Sequence, residues 1–587
     1  MFVRGCSNSS DEGAWSRGTR GTAGAPCDRS GTIKAASLFG SCPAYVLLAI
    51  AIADSISFAD PDLWGHIRFG QAVLQAHGLI TRDVYSYSAA GHPWHNHELG
   101  FELLLAIFYG TLGVYGLKLL KLAFSATTIM LIAAAQGETG AGLGTQRWVL
   151  MLTALGLAPQ MQFRPQLVSF ALTAALIALL ARSTYRQDTN RLWLAVPIMA
   201  VWANFHGGYV VGLGILTVYC ATTFFSTGSS ERLARRAASS LCLLCACTLA
   251  TLVNPYGAGI WRTVAHTLSN PLTRLVVGEW RPMLPRFAER LHAGSPVALL
   301  YLFVFCMMAA CLAAVILTPR GADLPLVAVA GLMIASALYA TRNMALALIA
   351  LSVPLTRHVA MLQEQGLAAN LGRLTGRSTP DAAELRENGV PAAAQTLVAR
   401  PLAASSERSR SPRPSRPTFS LANQAFVAAC ALALALKSGL FSPSLRAAPG
   451  PFPAGVMKFM QRNSLKGNLL CNFAWGEYLI WHTAPASKVF IDGRYDTVYP
   501  QRVIRDYLSF YFDRPGAQRV LAAYPHDFAI VPRAAKAYGL LRRRSGWKLV
   551  YQDSGTAMFA RAEAAAKLPA IDPSGAATEP AGADSFP

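Results

Sequence analysis

The sequence predicts a polytopic α-helical membrane protein of about eleven transmembrane helices, followed by a small C-terminal α/β domain. Three observations predict this. The 587 residues are 53% hydrophobic and only 14% charged, whereas a soluble domain carries about 25% charged residues. Apolar runs approaching the ~20 residues needed to span a hydrocarbon core recur along the chain. After the last run, short strand-like stretches alternate with helical ones.

In chain order, residues 1–42 are rich in Ser, Gly and Arg without periodicity and read as a disordered cytoplasmic tail. Pro43–Phe58 reads as a retained signal-anchor helix, because no small-residue cleavage site follows it. Further runs lie at Tyr115–Ala135, Trp148–Gln162, Gln166–Ala181, Leu192–Phe205, Val210–Phe225, Ser239–Val253, Pro296–Leu317, Leu324–Ala340, Met344–Met361 and Leu421–Leu440. The transmembrane core is thus 43–361, with an external loop at 60–98 and a last span at 421–440. Between them, residues 362–420 are rich in Ala, Ser, Arg and Pro and read as a disordered cytoplasmic linker.

The shorter run Leu99–Leu112 is assigned by parity. Basic loops at Arg182–Arg191 and Arg232–Arg236, and the linker, belong on the cytoplasmic side with the N-terminal tail. This puts both the Asp60 loop and Arg164 outside, so an even number of crossings separates them. Leu99–Leu112 is therefore expected to lie in the interface. Glu98 and Glu102 would form its polar edge, against Leu103, Leu104, Ile107 and Phe108.

Residues 441–565 then fall outside as the α/β domain. Strands are expected at Leu469–Phe473, Lys488–Ile491, Phe528–Val531, Lys548–Tyr551 and Met558–Phe559, with helices at Gln501–Ala523 and Arg533–Arg544. Residues 566–587 read as a disordered tail.

The net charge of +21 would suggest nucleic-acid binding in a soluble protein. Here the excess sits in short loops and the linker, so the bilayer and lipid phosphates are the expected partners, and nucleic acid is not. The external stretch Asn254–Gly294 runs against the charge bias, with Arg262, Arg274, Arg281, Arg286 and Arg290 facing only Glu279 and Glu289, unless its arginines meet an anion. Cys242, Cys245 and Cys247 lie in an apolar run and read as small helix residues. Only Cys471 follows Leu440, so the C-terminal domain holds no internal disulfide.

The chemistry concentrates at Asp60-Pro61-Asp62-Leu63-Trp64-Gly65-His66, where two carboxylates and an imidazole follow the first span. Helix capping accounts for an acid at this position. The pair together with His66 points further, to a general base or to ligands for a divalent cation, Mg or Mn. The same loop holds His77, His92, His95 and His97 beside Glu98, at spacings that match no standard zinc motif. Other polar groups fall at the expected external ends of spans: Arg164-Pro165-Gln166, Asn204-Phe205-His206-Gly207-Gly208, Asn254-Pro255-Tyr256-Gly257, Glu279-Trp280-Arg281 and Arg342-Asn343. Arginine at such depth requires a partner, and a lipid-linked phosphate is one. The C-terminal domain adds Trp475-Gly476-Glu477-Tyr478 and Phe490-Ile491-Asp492-Gly493-Arg494.

These motifs resemble the GT-C class of membrane glycosyltransferases, which use polyprenyl-phosphate-linked sugars. More narrowly, the chain resembles a group of bacterial multi-pass proteins that share these motifs from Asp60 to Arg561 outside the linker. The C-terminal domain is also similar to that of oligosaccharyltransferase catalytic subunits, where a Trp-Trp-Asp-Tyr-Gly motif precedes an Asp-Gly turn. The paired Trp and the Asp are missing here, so selection of an Asn sequon does not carry over.

The resemblance implies a glycosyltransferase of the bacterial inner membrane that moves a sugar from a polyprenyl-phosphate donor to an extracytoplasmic acceptor by single displacement. It implies Asp62 or Asp60 as base or metal ligand, with His66 orienting. Arg164, Arg342 and Arg281 would meet the donor phosphate, and Glu279, His206, Trp475, Asp492 and Arg494 would serve the acceptor or the structure. The alternatives are a non-enzymatic assembly factor for surface polymers and, last, a secondary transporter.

Overall fold

Helices form where the apolar runs lie, and their ends fall where polar side chains are needed. The computed structural model describes residues 43–225, 230–272, 277–318, 323–366, 421–447, 452–566, 568 and 585–586. The tail at 1–42, most of the linker at 362–420 and most of the segment 566–587 lie outside the described residues.

The first ten helices are α1 (Pro43–Asp54), α2 (Leu63–Ala76), α3 (Leu99–Leu112), α4 (Val114–Gly137), α5 (Leu143–Leu157), α6 (Gln166–Arg186), α7 (Ala195–Phe205), α8 (Tyr209–Phe225), α9 (Ser230–Ala250) and α10 (Gly259–Ser269). Helices Met283–His292, Val297–Leu317, Leu324–Tyr339, Met344–Gln365 and Leu421–Lys437 follow. Among the described residues, four helices are long and apolar enough to cross a membrane: Val114–Gly137, Gln166–Arg186, Val297–Leu317 and Thr341–Gln365. The other apolar runs form shorter helices, among them Pro43–Asp54 and Leu324–Tyr339.

Met344–Gln365 is the central post. From Met344 to Thr356 every residue is buried, and it packs against α4, α5, α6, Val297–Leu317 and Leu324–Tyr339. A helix apolar all round has to be enclosed in this way or by lipid. Of the two lysines buried in α4, Lys121 meets Asp54 at 3.2 Å and donates to the carbonyls of Asp54 and Ile56. A buried ammonium needs such partners. The pair also fixes where the chain leaves α1 for the Asp60 loop.

α2 packs along α3, and α3 along α4. Here one part of the expectation differs, the solvated polar edge of α3. The acidic edge of α3 faces inward: Glu102 is 2% exposed and bonded to His66 of α2. Its apolar residues divide, with Phe101 and Leu105 buried and Ile107 and Leu112 exposed. A partner on α2, invisible to the periodicity of α3, outweighs the solvation of the carboxylate.

Five strands form one mixed sheet in the order β3-β2-β4-β6-β5. They are β2 (Asn468–Cys471), β3 (Lys488–Val489), β4 (Phe528–Pro532), β5 (Trp547–Gln552) and β6 (Thr556–Arg561), after a two-residue β1 (Leu445–Arg446). β2 runs parallel to β3 and β4, with Leu470 opposite Ala529, while β6 is antiparallel to β4 and β5. The expected helix Gln501–Ala523 is two helices, Gln501–Tyr511 and Ala517–Ala523. Pro515 and Gly516 break it, with Gly516 at φ 93°. Ser585–Phe586, within the expected disordered tail, is a strand (β7) paired with β1. Phe586 is buried, with its ring against Trp64, Tyr109 and Trp481, and aromatic burial of this kind offsets the cost of ordering a terminus.

The sheet is docked on the helices through its β3 edge. Tyr87 N–H donates to Val489 O at 3.2 Å and Val489 N–H to Tyr85 O at 3.1 Å. Ser88 donates to the Phe490 carbonyl. Next to this seam the buried Arg494 pairs with Asp492 at 2.7 Å and with Asp83 of the loop at 2.8 Å, and lies over the rings of Phe69, Tyr85 and Trp94. Removing one member of a buried ion pair costs roughly 3–5 kcal/mol, because the partner is left uncompensated. Arg494→Ala is expected to loosen this seam, seen as a lowered Tm and faster proteolytic cleavage between Phe441 and Ala454. Combining it with Asp83→Asn and Asp492→Asn should recover part of the loss.

Candidate active site

The Asp60–His66 segment folds around its own acids. Asp60 Oδ1 accepts the Asp62 N–H at 3.1 Å, an Asx turn that Pro61 favours. α2 then starts at Leu63. Asp62 stands at the cap position, but its side chain makes no capping bond. Its carboxylate is therefore not spent on the helix.

Arg164 reaches the same place from the turn before α6. Its Nη2 lies 2.6 Å from Asp60 Oδ2 and 3.5 Å from Asp62 Oδ2, and its Nη1 lies 2.5 Å from Glu279 Oε1. The Asp60 loop and Arg164 thus lie together at one end of the helices. The Glu279 turn is tied to the start of the central post, since Thr341 Oγ1 donates to Glu279 O at 3.0 Å and Thr341 N–H to Arg281 O at 3.2 Å. Arg342 then lies over the Trp280 ring, 4.4 Å from its centre. Among the described residues its guanidinium has no ion pair.

One turn into α2, His66 Nδ1 is 3.3 Å from Glu102 Oε1, and Asn96 Nδ2 donates to Glu102 Oε2 at 2.5 Å. Glu98 lies between His97 Nε2 at 3.7 Å and His206 Nε2 at 3.9 Å. His206 Nδ1 accepts the Gly208 N–H at 3.2 Å. This assigns the proton of the neutral ring to Nε2, facing Glu98.

These groups line a cavity of about 150 Å³ that includes Asp62, His66, Glu98, Arg164, Glu279 and Glu477. Beside it runs a groove of about 260 Å³ with a largely apolar wall, including Phe170, Val210, Val211, Leu268 and Leu346. The two share His97, Gln166, Thr267, Trp280 and Arg342.

The electrostatics follow from enclosure. Asp62 opens onto the cavity, with its side chain 34% exposed, yet protein surrounds it. Burial and the nearby Asp60 carboxylate outweigh Arg164 and raise its pKa to about 7. Burial works against a charged His66, but the Glu102 hydrogen bond and the Glu98 and Glu102 charges raise its pKa to about 9. Burial lowers His206 to about 3. Burial opposes ionisation of Glu98, yet the surrounding histidines keep its pKa below the usual value. Burial, with Asp62 and Asp492 nearby, pushes Glu477 well up.

Of the residues singled out in the sequence, Asp62, His66, Arg164, Glu279, Arg342 and Arg494 line the cavity. Asp60 stands behind Arg164, and His206 lines the groove. Arg281 turns away, its side chain pairing with Glu289 on the outer surface. Trp475 and Asp492 are buried behind the wall, Asp492 bonded to Arg494 and Tyr499. The structure also brings in Glu102 and Glu477, which the sequence reading left out of the site. Each is a lone acid inside an apolar or aromatic run, which is itself a signal.

A second difference concerns metal ligation. The expected ligands Asp60 and Asp62 do not form the ligand cluster seen in the structure, and Asp60 is occupied by Arg164 and the Asp62 amide. The donor atoms of His66, Glu98 and Glu102 instead lie within 4.8 Å of one another.

No protein-family model matches the chain, and no curated protein matches it. Several solved structures are similar to it. They include the oligosaccharyltransferase AglB of Archaeoglobus fulgidus in complex with an inhibitory peptide and a dolichol-phosphate, at 10% identity and TM-score 0.47, over 90% of this chain and 74% of that one. The same enzyme tethered to an acceptor peptide gives TM-score 0.48 at 10% identity, over the same shares. ArnT from Cupriavidus metallidurans bound to undecaprenyl phosphate gives TM-score 0.41 at 14% identity, over 90% of this chain and 98% of that one. These neighbours are GT-C glycosyltransferases. A likeness this distant assigns no residue and no activity.

Arg164 holds three carboxylates, so Arg164→Gln should lower Tm and raise the pH dependence of stability. The loss should fall below the roughly 3–5 kcal/mol of a fully buried pair, because a quarter of the Arg164 side chain is exposed. Adding Asp60→Asn and Glu279→Gln should restore most of it in a thermal melt.

Proposed function

We propose that this chain is a glycosyltransferase that takes a sugar from a polyprenyl-phosphate donor in the membrane and passes it to an extracytoplasmic acceptor. One observation supports this above the others. An acid–base cavity and an apolar groove share a wall, and the arginine on that wall, Arg342, has no carboxylate partner among the described residues. A lipid-linked sugar phosphate has the same layout, with an apolar tail, an anion and a polyol in series.

In this reading the first isoprene units occupy the groove and the phosphate meets Arg342 over Trp280. Asp62 takes the proton of an acceptor hydroxyl as that oxygen bonds to the anomeric carbon. The bond from that carbon to the phosphate oxygen breaks on the opposite face, and the configuration inverts. The charge developing on the leaving phosphate is met by Arg342. Arg164 acts behind Asp62 as the cation that lets the carboxylates coexist. Glu279 holds Arg164, and His206 supports Glu98 at the groove. An assembly factor would not need Asp62 to face an enclosed cavity.

The same reading assigns about eleven crossings, a cytoplasmic N-terminus, a bacterial inner membrane and an external α/β domain at 441–565. It also assigns a divalent cation to His66, Glu98 and Glu102. A set of one nitrogen and two carboxylates suits Zn²⁺ or Mn²⁺ better than Mg²⁺. A cation there would supply positive charge to the cavity floor.

The test uses the full chain in lipid nanodiscs. C55 polyprenyl phosphate should bind, and Arg342→Gln should weaken binding by roughly tenfold or more. Asp62→Asn should keep that binding while transfer from vesicles carrying pooled polyprenyl-phosphate sugars falls on the order of 10²–10⁴-fold. Unimpaired transfer in Asp62→Asn would remove Asp62 as the base. Because a base works deprotonated, transfer should fall as pH drops through about 7. Zn²⁺ or Mn²⁺ should raise Tm, and His66→Ala should abolish that shift.

A further inference from the structure

Glu477 is the least explained group in the cavity wall. It is 3% exposed and its Oε2 has no hydrogen-bond partner. Among the described residues no cation lies within ion-pair range of it. It belongs to helix Gly476–Thr483 of the C-terminal domain, which packs on α2.

Space for it is made by glycines from two other motifs. A Cβ on Gly65 would run into the Glu477 carboxyl group. A Cβ on Gly493 would come within 2.5 Å of Glu477 Oε1 and 2.9 Å of Asp62 Oδ1. Neither glycine has a positive φ, so the requirement at both is room rather than backbone freedom. The glycines of Asp60–His66 and of Phe490–Arg494 therefore admit one carboxyl group, and it arrives beside Asp62.

The surrounding charges decide its state. Asp60, Arg164, His66 and Glu279 face Asp62. Asp492, Arg494 and Glu102 face Glu477. Arg164 is already taken by Asp60 and Glu279, and Arg494 by Asp492 and Asp83. His66 is bonded to Glu102 and Arg342 lies over Trp280, so among the described residues no cation is within ion-pair range of Glu477, and its burial beside Asp62 keeps it protonated.

We propose that Glu477 is a positioning residue of the catalytic centre, bringing a protonated carboxyl group from the C-terminal domain to orient the Asp62 carboxylate. This rests on the reading of Asp62 as the base. The step it assists stays balanced: Asp62 gains the acceptor's proton, and Glu477 keeps its own.

The experiment has an arm that needs no transfer. Infrared spectra of the full chain at mildly alkaline pH should show the C=O band of a protonated carboxyl group, and Glu477→Gln should remove it. Stability should agree. A group whose folded pKa is raised contributes stability at low pH that is lost as pH rises, so Glu477→Gln should gain on the wild type with increasing pH. A wild type without the band, or a band that persists in Glu477→Gln, overturns the proposal.

The second arm reads the pH profile of transfer. Glu477→Gln keeps a donor and should leave the acid limb in place. Glu477→Leu keeps the volume but loses the donor, and should move the limb up by about one pH unit. Gly65→Ala should lower transfer while the band remains. An unmoved limb in Glu477→Leu overturns the positioning role. A wild type without any transfer overturns the glycosyl-transfer reading alone, and the band and stability results then decide on Glu477.

Discussion

The site depends on one guanidinium shared among three carboxylates. Asp60, Asp62 and Glu279 come from segments more than 200 residues apart, and without Arg164 they would repel one another in a poorly solvated space. The sharing is unequal. Asp60 sits at 2.6 Å and Glu279 at 2.5 Å, but Asp62 at 3.5 Å. The two close partners consume most of the compensation, and Asp62 keeps the proton affinity that burial gives it. A carboxylate equally well paired would be too weak a base near neutrality. The asymmetry of these distances is thus what makes one of three similar acids chemically distinct.

The same economy joins the two halves of the molecule. The helical part carries Asp62, at the start of α2, and Arg342. The C-terminal domain contributes Glu477 and is held by Arg494, whose charge is cancelled on both sides of the seam by Asp492 and Asp83. Neither half has a complete cavity alone, since the lining takes residues from α2, from the Glu279 turn and from the 476–497 segment. Rigid docking is therefore part of the site's geometry rather than an addition to it.

Much of the fold was legible because it rests on local periodicity. Apolar runs became helices, and the strand-like runs Phe528–Val531 and Lys548–Tyr551 lie within β4 and β5. The errors share one cause, a partner on another element. The polar edge of α3 was read as solvated, but Glu102 is claimed by His66. Arg281 was read as a phosphate ligand, but Glu289 on the next helix takes it. Phe586 was read as part of a loose tail, but three rings enclose it. The cluster at Asp60–His66 and the arginines at 164 and 342 were legible because charge beside an apolar run is costly and therefore rare. Glu477 hid among aromatics that read equally well as core.

Arg342 completes the electrostatic account. The other two arginines of the cavity, Arg164 and Arg494, each hold two or more carboxylates within 4 Å. Arg342 has a ring beneath it and no ion pair among the described residues. An aromatic face returns about 0.5–2 kcal/mol to a cation, less than a guanidinium loses on leaving water without a carboxylate. Glu279 and Glu98 are near enough to attract it, but Arg164 and the histidines hold them first. The deficit sits where the polar cavity meets the apolar groove. An anion on an apolar stem removes it without displacing any existing pair. A free anion would satisfy the charge and leave the groove empty, and a neutral lipid would fill the groove and leave the charge.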